Sequence, residues 1–418
     1  MTTEAVNETI ERTTSGAVRG SRRGKAFLDL LDIGLTDGSI EFVIDGVSRR
    51  VGNRGDRPPD AVVRVSDPGF LDEVLVTGNL ALGEAYMRGD FSIDGDDTAG
   101  FVGVLLRNHL DERLRKHLGV AMAMKMMAIR LTNAIRGRFG NIHKHFDIGN
   151  DLYEAFLDSS LAYTCGYEST ANGTSDLEQL QNQKFARICR KLQLAGGDRV
   201  ADLGCGFGGL LIYAAEHHGI TGKGLTISKK QAEKANERIA QKGLADRIRV
   251  DYASFETLTG TYDKVVSVGM MEHLTDAEYP VCVATIARCL TPQGRGLVHF
   301  IGYSGPKNHS DPFTQKYIFP GAQWPKLSQL ARELERNALG ILDVENLVRH
   351  YTLTMKRWLE KFRSAYPDLD HKRYDAPFKR MWEYYLGCGI ASSLYSETAL
   401  YQILFTKDYA APMPYQRV

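Results

Sequence analysis

Two textures of hydrophobic and polar positions divide the chain. Apolar residues recur at helical spacing over 26–35, and 39–51 alternates around Asp45-Gly46, a dipeptide that favours the tight turn of a hairpin. Residues 61–66 read as a strand and 70–86 as an amphipathic helix. After a Gly- and Asp-rich break at 89–100, a further helix is predicted over 102–118. From about 178 the order changes to helix (180–192), strand (199–203), helix (209–217), strand (223–226), helix (228–242) and strands at 248–252 and 264–268. Such alternation predicts a mostly parallel sheet with helices on both faces, hence an α/β fold class with a smaller mixed α+β domain in front. Helices dominate from 311, with a last strand near 401–406.

The domain boundaries follow. Residues 1–24 lack periodicity and are expected to form a mobile tail, 25–120 an N-terminal domain, 121–140 a linker helix and 141–418 the catalytic domain. The segment 121–138 mixes methionines with Lys125, Arg130, Arg136 and Arg138. It reads either as a linker packed on the next domain or as a basic amphipathic surface resting on anionic lipid head groups.

Composition narrows the classes. Of 418 residues 43% are hydrophobic and 25% charged, with a formal net charge of +1, so no global attraction to nucleic acid is expected. None of the six cysteines forms a C-x-x-C pair, and no metal site is expected. Without a signal-like N-terminus or a membrane-spanning apolar run, the expected location is cytoplasmic.

The strongest local signal is D-L-G-C-G-F-G at 202–208. Asp202 ends a small apolar strand, and Gly204, Gly206 and Gly208 permit a tight turn and close approach of a ligand to the backbone. Alone, such a turn also serves strand–helix connections that bind nothing. A dinucleotide site needs an acidic residue at the end of the second strand, and Gly224-Leu225-Thr226-Ile227-Ser228 has none, which disfavours NAD. An aspartate just before the glycines resembles motif I of class I S-adenosylmethionine-dependent methyltransferases, and implies a Rossmann-like domain of that type.

The segment T-I-S-K-K-Q at 226–231 resembles the T-L-S-x-x-Q stretch of cyclopropane-fatty-acid synthases and mycolic acid cyclopropane synthases. Four further stretches fit the same family: H-K-H-F-D-I-G-N-D at 143–151, Y-T-C-G-Y at 163–167, S-V-G-M-M-E-H at 267–273 and K-Y-I-F-P-G at 316–321. The resemblance runs from about 140 to the end, and the segment before it resembles the extra N-terminal domain of the phospholipid-acting members. It implies transfer of a one-carbon unit from S-adenosylmethionine to the double bond of an unsaturated phospholipid acyl chain, with ring closure to a cyclopropane. A methyl or methylene branch without ring closure is the alternative. A small-molecule methyltransferase or a non-catalytic lipid-surface protein would be the remaining choices.

An alkene is a weak nucleophile, so this chemistry needs an apolar, closed site and a base for the surplus proton. The resemblance implies bound bicarbonate as that base, with Cys165, Glu272, His299, the backbone of Ile301 and Tyr351 as its ligands. Taken singly, Glu272-His273 reads as a helix-start pair and His299 as a structural histidine. Cofactor contacts are expected from Tyr163, Thr164, Asp202, Gly204, Gly206, Gly208, Thr226, Ile227, Gln231, Ala253 and Ser254. The family also implies peripheral association with the inner face of the membrane and a possible homodimer. Two departures stand out: Cys388 falls one position before the family's C-terminal cysteine, so it is left out of the catalytic set, and His299-Phe300-Ile301 replaces the commoner His-Thr-Ile.

Overall fold

The hairpin expected around Asp45-Gly46 forms, with both residues at positive φ (50° and 74°), as a tight two-residue turn requires. The computed structural model describes residues 22–53, 55, 57–110, 149–306, 311–410 and 412. The tail up to residue 21, the methionine-rich segment at 121–138 and most of the H-K-H-F-D-I-G-N-D stretch lie outside the described residues. The chain divides into two units.

The first unit gathers 22–110 with 311–318 and 370–396. It contains α1 (Arg22–Gly34), β1 (Ser39–Ile44), β2 (Val47–Gly52), β3 (Ala61–Val65), α2 (Phe70–Thr77), α3 (Asn79–Arg88), β4 (Phe91–Ile93) and α4 (Thr98–Arg107). The sheet order is β2-β1-β3-β4, with β1 parallel to β3 and the outer pairs antiparallel. The single helix expected over 70–86 is two, because Gly78 takes φ 62° and ψ −132°, outside helical space. Helices Pro312–Tyr317 and Ala376–Tyr395 complete this unit, so 141–418 is not one continuous piece. Ala376–Tyr395 is apolar on most of its circumference and is buried accordingly, including Trp382, Tyr384 and Leu386.

The second unit holds 149–306, 319–369 and 397–412. Its elements are α5 (Asn150–Phe156), α6 (Leu177–Leu192), β5 (Arg199–Leu203), α7 (Gly209–His218), β6 (Thr221–Thr226), α8 (Lys229–Gln241), β7 (Ile248–Tyr252), β8 (Tyr262–Val268), α9 (Glu278–Cys289), β9 (Leu290–Tyr303), α10 (Leu327–Arg336), β10 (Gly340–Asn346), α11 (Val348–Ala365) and β11 (Thr398–Thr406). The seven-stranded sheet runs β10-β11-β9-β8-β5-β6-β7, and β11 alone is antiparallel to its neighbours. Successive strand residues serve opposite layers. Ala201, Val265, Val298 and Ile403 pack with Val283, Ile286, Leu330 and Leu334, from α9 and α10. Val200, Val266, Leu297 and Leu404 pack with Ile188, Leu211 and Ala235, from α6, α7 and α8.

β10 is absent from the sequence expectation, and its charged residues explain its place. Glu345 receives Arg187 (2.7 Å) and Lys191 (2.7 Å), and Asp343 also faces Lys191 (3.1 Å). Both cations belong to α6 and are buried. Removing the carboxylate from such a cluster leaves buried charge uncompensated. Glu345→Ala should therefore destabilise this unit by roughly 3–5 kcal/mol, seen as a lower midpoint in urea denaturation with an unchanged slope.

Candidate active site

Strands β5, β6, β7 and β8 run parallel, and the strand order reverses between β5 and β8. Open α/β sheets bind ligands beyond the carboxyl ends of the strands at such a reversal. Asp202 is the last residue but one of β5, Thr226 ends β6, Ala253 and Ser254 follow β7, Glu272 follows β8, and His299 lies in β9.

The glycine turn is fastened to β6 by Gly204 N and Cys205 N, which both donate to Leu225 O (2.9 and 3.0 Å). Gly206 takes φ +56°, and a Cβ built there meets nothing within 4 Å. Its missing side chain leaves the backbone open to a ligand. Asp202 is buried, and its Oδ1 has no hydrogen-bond partner. Burial pushes its carboxyl up to about 7, against the opposing charge of Lys184.

At the end of β6, Thr226 Oγ1 donates to Gln231 Oε1 (2.7 Å) and accepts from Ser228 N (3.2 Å). Ala253 N donates to Thr226 O (2.9 Å), so the β6 and β7 ends are joined. Ile227 is 67% exposed beside them, as an apolar platform. The Ser254 hydroxyl caps the turn Phe255–Thr257 through Glu256 N (3.3 Å), which occupies it structurally. A shallow pocket of about 550 Å³ lies against α8 and β7 and touches Ala253, but not Asp202, Glu272 or His299. The buried polar groups mark the chemistry better than this depression, because an open surface cannot exclude water.

A second cluster forms where the loop after β8 meets β9. Gly269 N donates to His299 O (2.8 Å), and a Cβ on Gly269 would stand 2.6 Å from Thr164 Cγ2. Glu272 sits in the turn Met271–His273, buried, with Oε1 accepting from Ile301 N (3.4 Å) and Oε2 without a partner. Burial pushes its carboxyl up to about 7. His299 Nδ1 lies 3.2 Å from Gln402 Nε2, while its own Nε2 has no partner. With the Gln402 amide nitrogen donating, the ring proton resides on Nε2, leaving a free N–H. Burial, helped by Lys184 and Lys191, pushes the imidazole down to about 3, so it is neutral at pH 7.

Cys165 Sγ donates to Gly166 O (3.0 Å), and burial pushes its thiol up to about 12. It is therefore no thiolate nucleophile. Tyr351 is buried on α11, edge-on to Trp358 at 5.8 Å. Tyr163 stands among Tyr153, Phe156, Phe319 and Trp358, with ring centroids 5.1 to 6.3 Å away. These contacts draw Tyr163, Thr164, Glu272, His299 and Ile301 into one neighbourhood, with Cys165 adjoining. The residues at 226–254 form a separate edge around the glycine turn. Cys388 belongs to the first unit, in a buried helix where Tyr384 donates to Asn79 (2.5 Å) and Asn79 to Asp311 (2.7 Å). Burial and Asp311 raise its thiol pKa. Sequence reasoning missed Lys184, Gln402 and Thr354, whose hydroxyl accepts from Gly166 N (3.0 Å). Among the described residues, no cluster of His, Cys, Asp and Glu could hold a metal ion.

Comparison with known proteins gives the family and the fold. Residues 134–403 match the family described as mycolic acid cyclopropane synthetase. The cyclopropane-fatty-acyl-phospholipid synthase of Escherichia coli K12 is 35% identical over 355 residues, covering 84% of this chain and 89% of that protein. A probable fatty acid methyltransferase from Pseudomonas putida is 30% identical over 368 residues, covering 84% and 88%. The cyclopropane synthase MmaA2 from Mycobacterium tuberculosis matches with a TM-score of 0.57 at 24% identity, over 64% of this chain and 98% of that one, a likeness of fold. The expected class I methyltransferase fold is thus borne out, and the chain belongs to the mycolic acid cyclopropane synthetase family.

Proposed function

We propose that this enzyme transfers a one-carbon unit from S-adenosylmethionine to the double bond of an unsaturated phospholipid acyl chain and closes a cyclopropane ring. The observation that carries this reading is the pair of unpartnered buried atoms, Glu272 Oε2 and His299 Nε2, in the unit that also carries the open glycine turn. S-adenosylmethionine, when bound, supplies an electrophilic methyl on a sulfonium. Asp202, Gly204, Gly206, Gly208, Thr226 and Gln231 are the residues to hold it, with Ile227 and Ala253 beside its base and Tyr163 and Thr164 near the reacting end. Bicarbonate would supply the base, held by Cys165, Glu272, His299, Ile301 N and Tyr351.

The chain's own residues suit these tasks. Neutral His299 offers an N–H and Tyr351 a hydroxyl, both able to donate to an oxyanion. Glu272 titrates near 7 and can either donate or accept there. The rings around Tyr163 exclude water and offer π faces to positive charge. Among the described residues no helix is long and apolar enough to cross a membrane. We place the lipid encounter at the cytoplasmic membrane surface, with the enzyme peripheral and a homodimer. Similarity to a fatty acid methyltransferase favours, as second reading, a methyl or methylene branch without ring closure.

Purified protein with S-adenosylmethionine and unsaturated phospholipid vesicles should add one methylene unit to the acyl chain by mass spectrometry. Upfield ring-methylene signals in the proton NMR spectrum should identify the cyclopropane, whereas olefinic methylene signals would select the second reading. No turnover across a range of unsaturated phospholipids would remove the lipid assignment. Glu272→Gln should lower turnover by roughly 100-fold or more while calorimetric affinity for S-adenosylmethionine stays within about threefold. Gly206→Val should abolish that affinity in a folded protein, since its side chain fills the open approach. In the wild type, affinity should fall as pH drops through about 7, where Asp202 takes up a proton and loses its charge; a flat profile would take Asp202 out of cofactor binding.

A further inference from the structure

Lys184 has no part in the reading above. It lies on α6 with 1% of its surface exposed, and its ammonium donates to Thr164 Oγ1 (2.7 Å) and to Gln181 Oε1. Arg187 and Lys191, further along the same helix, both reach Glu345. Lys184 has no carboxylate within ion-pair distance among the described residues. Burying an ammonium on neutral partners is costly, and a structural role would be served as well by an apolar side chain. The charged and titratable groups that it feels are Asp158, Cys165 and Asp202, and it acts in turn on His299. Three of these four belong to the proposed site. Its acceptor Thr164 precedes Cys165 and fills the space that a Cβ on Gly269 would need, close to Glu272 Oε1.

We infer that Lys184 is a positioning residue for the reaction: its buried ammonium, donating to Thr164 Oγ1, ties the loop carrying Tyr163, Thr164 and Cys165 to α6. The inference rests on the proposed assignment of that loop and Asp202 to cofactor binding. Two consequences follow. The loop's register against Gly269 depends on the ammonium–hydroxyl bond, and loss of the ammonium removes the opposing charge that works against burial at the Asp202 carboxyl. Burial alone would leave Asp202 protonated to higher pH. Methionine keeps the length of Lys184 without the charge, and arginine keeps the charge with a different shape.

The test is calorimetric titration of wild type, Lys184→Met and Lys184→Arg with S-adenosylmethionine, across a pH series spanning the Asp202 transition. Lys184→Met should bind roughly tenfold more weakly at neutral pH, with the midpoint of the acidic loss raised by about one pH unit. Lys184→Arg should keep both within about threefold and half a unit. A Lys184→Met protein that is folded by circular dichroism and binds with the wild-type affinity and midpoint overturns the inference. Should Lys184→Met fail to fold, Lys184→Arg decides: wild-type-like binding supports the role of the charge, and a loss of tenfold or more overturns it. Lipid turnover is measured separately on the wild type. Cofactor binding without lipid conversion would overturn the proposed reaction while still deciding the role of Lys184.

Discussion

Polar atoms buried without partners are the constraint around which the second unit is arranged. Asp202 Oδ1, Glu272 Oε2, His299 Nε2, Thr352 Oγ1 and Gln402 Oε1 all lack a hydrogen bond. Each such atom costs about 1–3 kcal/mol, a sizeable share of a domain's net stability. They come from β5, the turn after β8, β9, α11 and β11, so no single local defect explains them. Elsewhere the same unit satisfies its buried charges, as Glu345 does for Arg187 and Lys191. Ser160 Oγ and Trp358 Nε1 of the same unit are unpartnered too, so such atoms mark a candidate site only where they gather, as Glu272 and His299 do.

Burial acts on all these groups in one direction. It raises Asp202 and Glu272, raises the Cys165 thiol and lowers His299, so every one is driven toward its neutral form. A charged imidazole would repel a sulfonium, and a thiolate would compete with the alkene for the methyl group. Neutral donors avoid both and can still hold an anion. Lys184 works against this trend at Asp202 and at the Cys165 thiol, and with it at His299. Dryness and selectivity are thus one property seen twice.

What was legible in the sequence was local. Asp45-Gly46 announced its turn because both residues accept positive φ, and the glycines at 204–208 did so for the same reason. β5 and β8 were legible from short, mostly apolar buried runs, Val200 to Leu203 and Val265-Val266, and β7 from Ile248 and Val250 alternating with exposed Arg249. β10 was not, since Asp343 and Glu345 interrupt the apolar pattern to meet cations on α6. The placement of 311–318 and 370–396 with the first unit depends on contacts far apart in sequence, such as Tyr384 with Asn79. Lys184 carries no motif that singles it out, although it falls four residues after Leu180 and four before Ile188, on the buried stripe of α6. The proposed anion ligands rest on resemblance, because no spacing rule links Cys165, Glu272, His299 and Tyr351.

The departure at Phe300 shows how the sheet keeps packing apart from chemistry. Side chains alternate along β9, so His299 and Ile301 share one face and Phe300 occupies the other. Phe300 is fully buried in the core between the sheet and its helices, with the Tyr401 ring 5.8 Å away. Replacing a threonine there alters the core layer and leaves the donors at 299 and 301 where they were. Register carries the same logic across to β11, where Tyr401 pairs with Phe300 and Gln402 with His299. The one antiparallel strand therefore puts the Gln402 amide against His299 Nδ1, and with the amide nitrogen donating the ring proton sits on Nε2. The strand that breaks the parallel pattern is thus the one that orients the histidine.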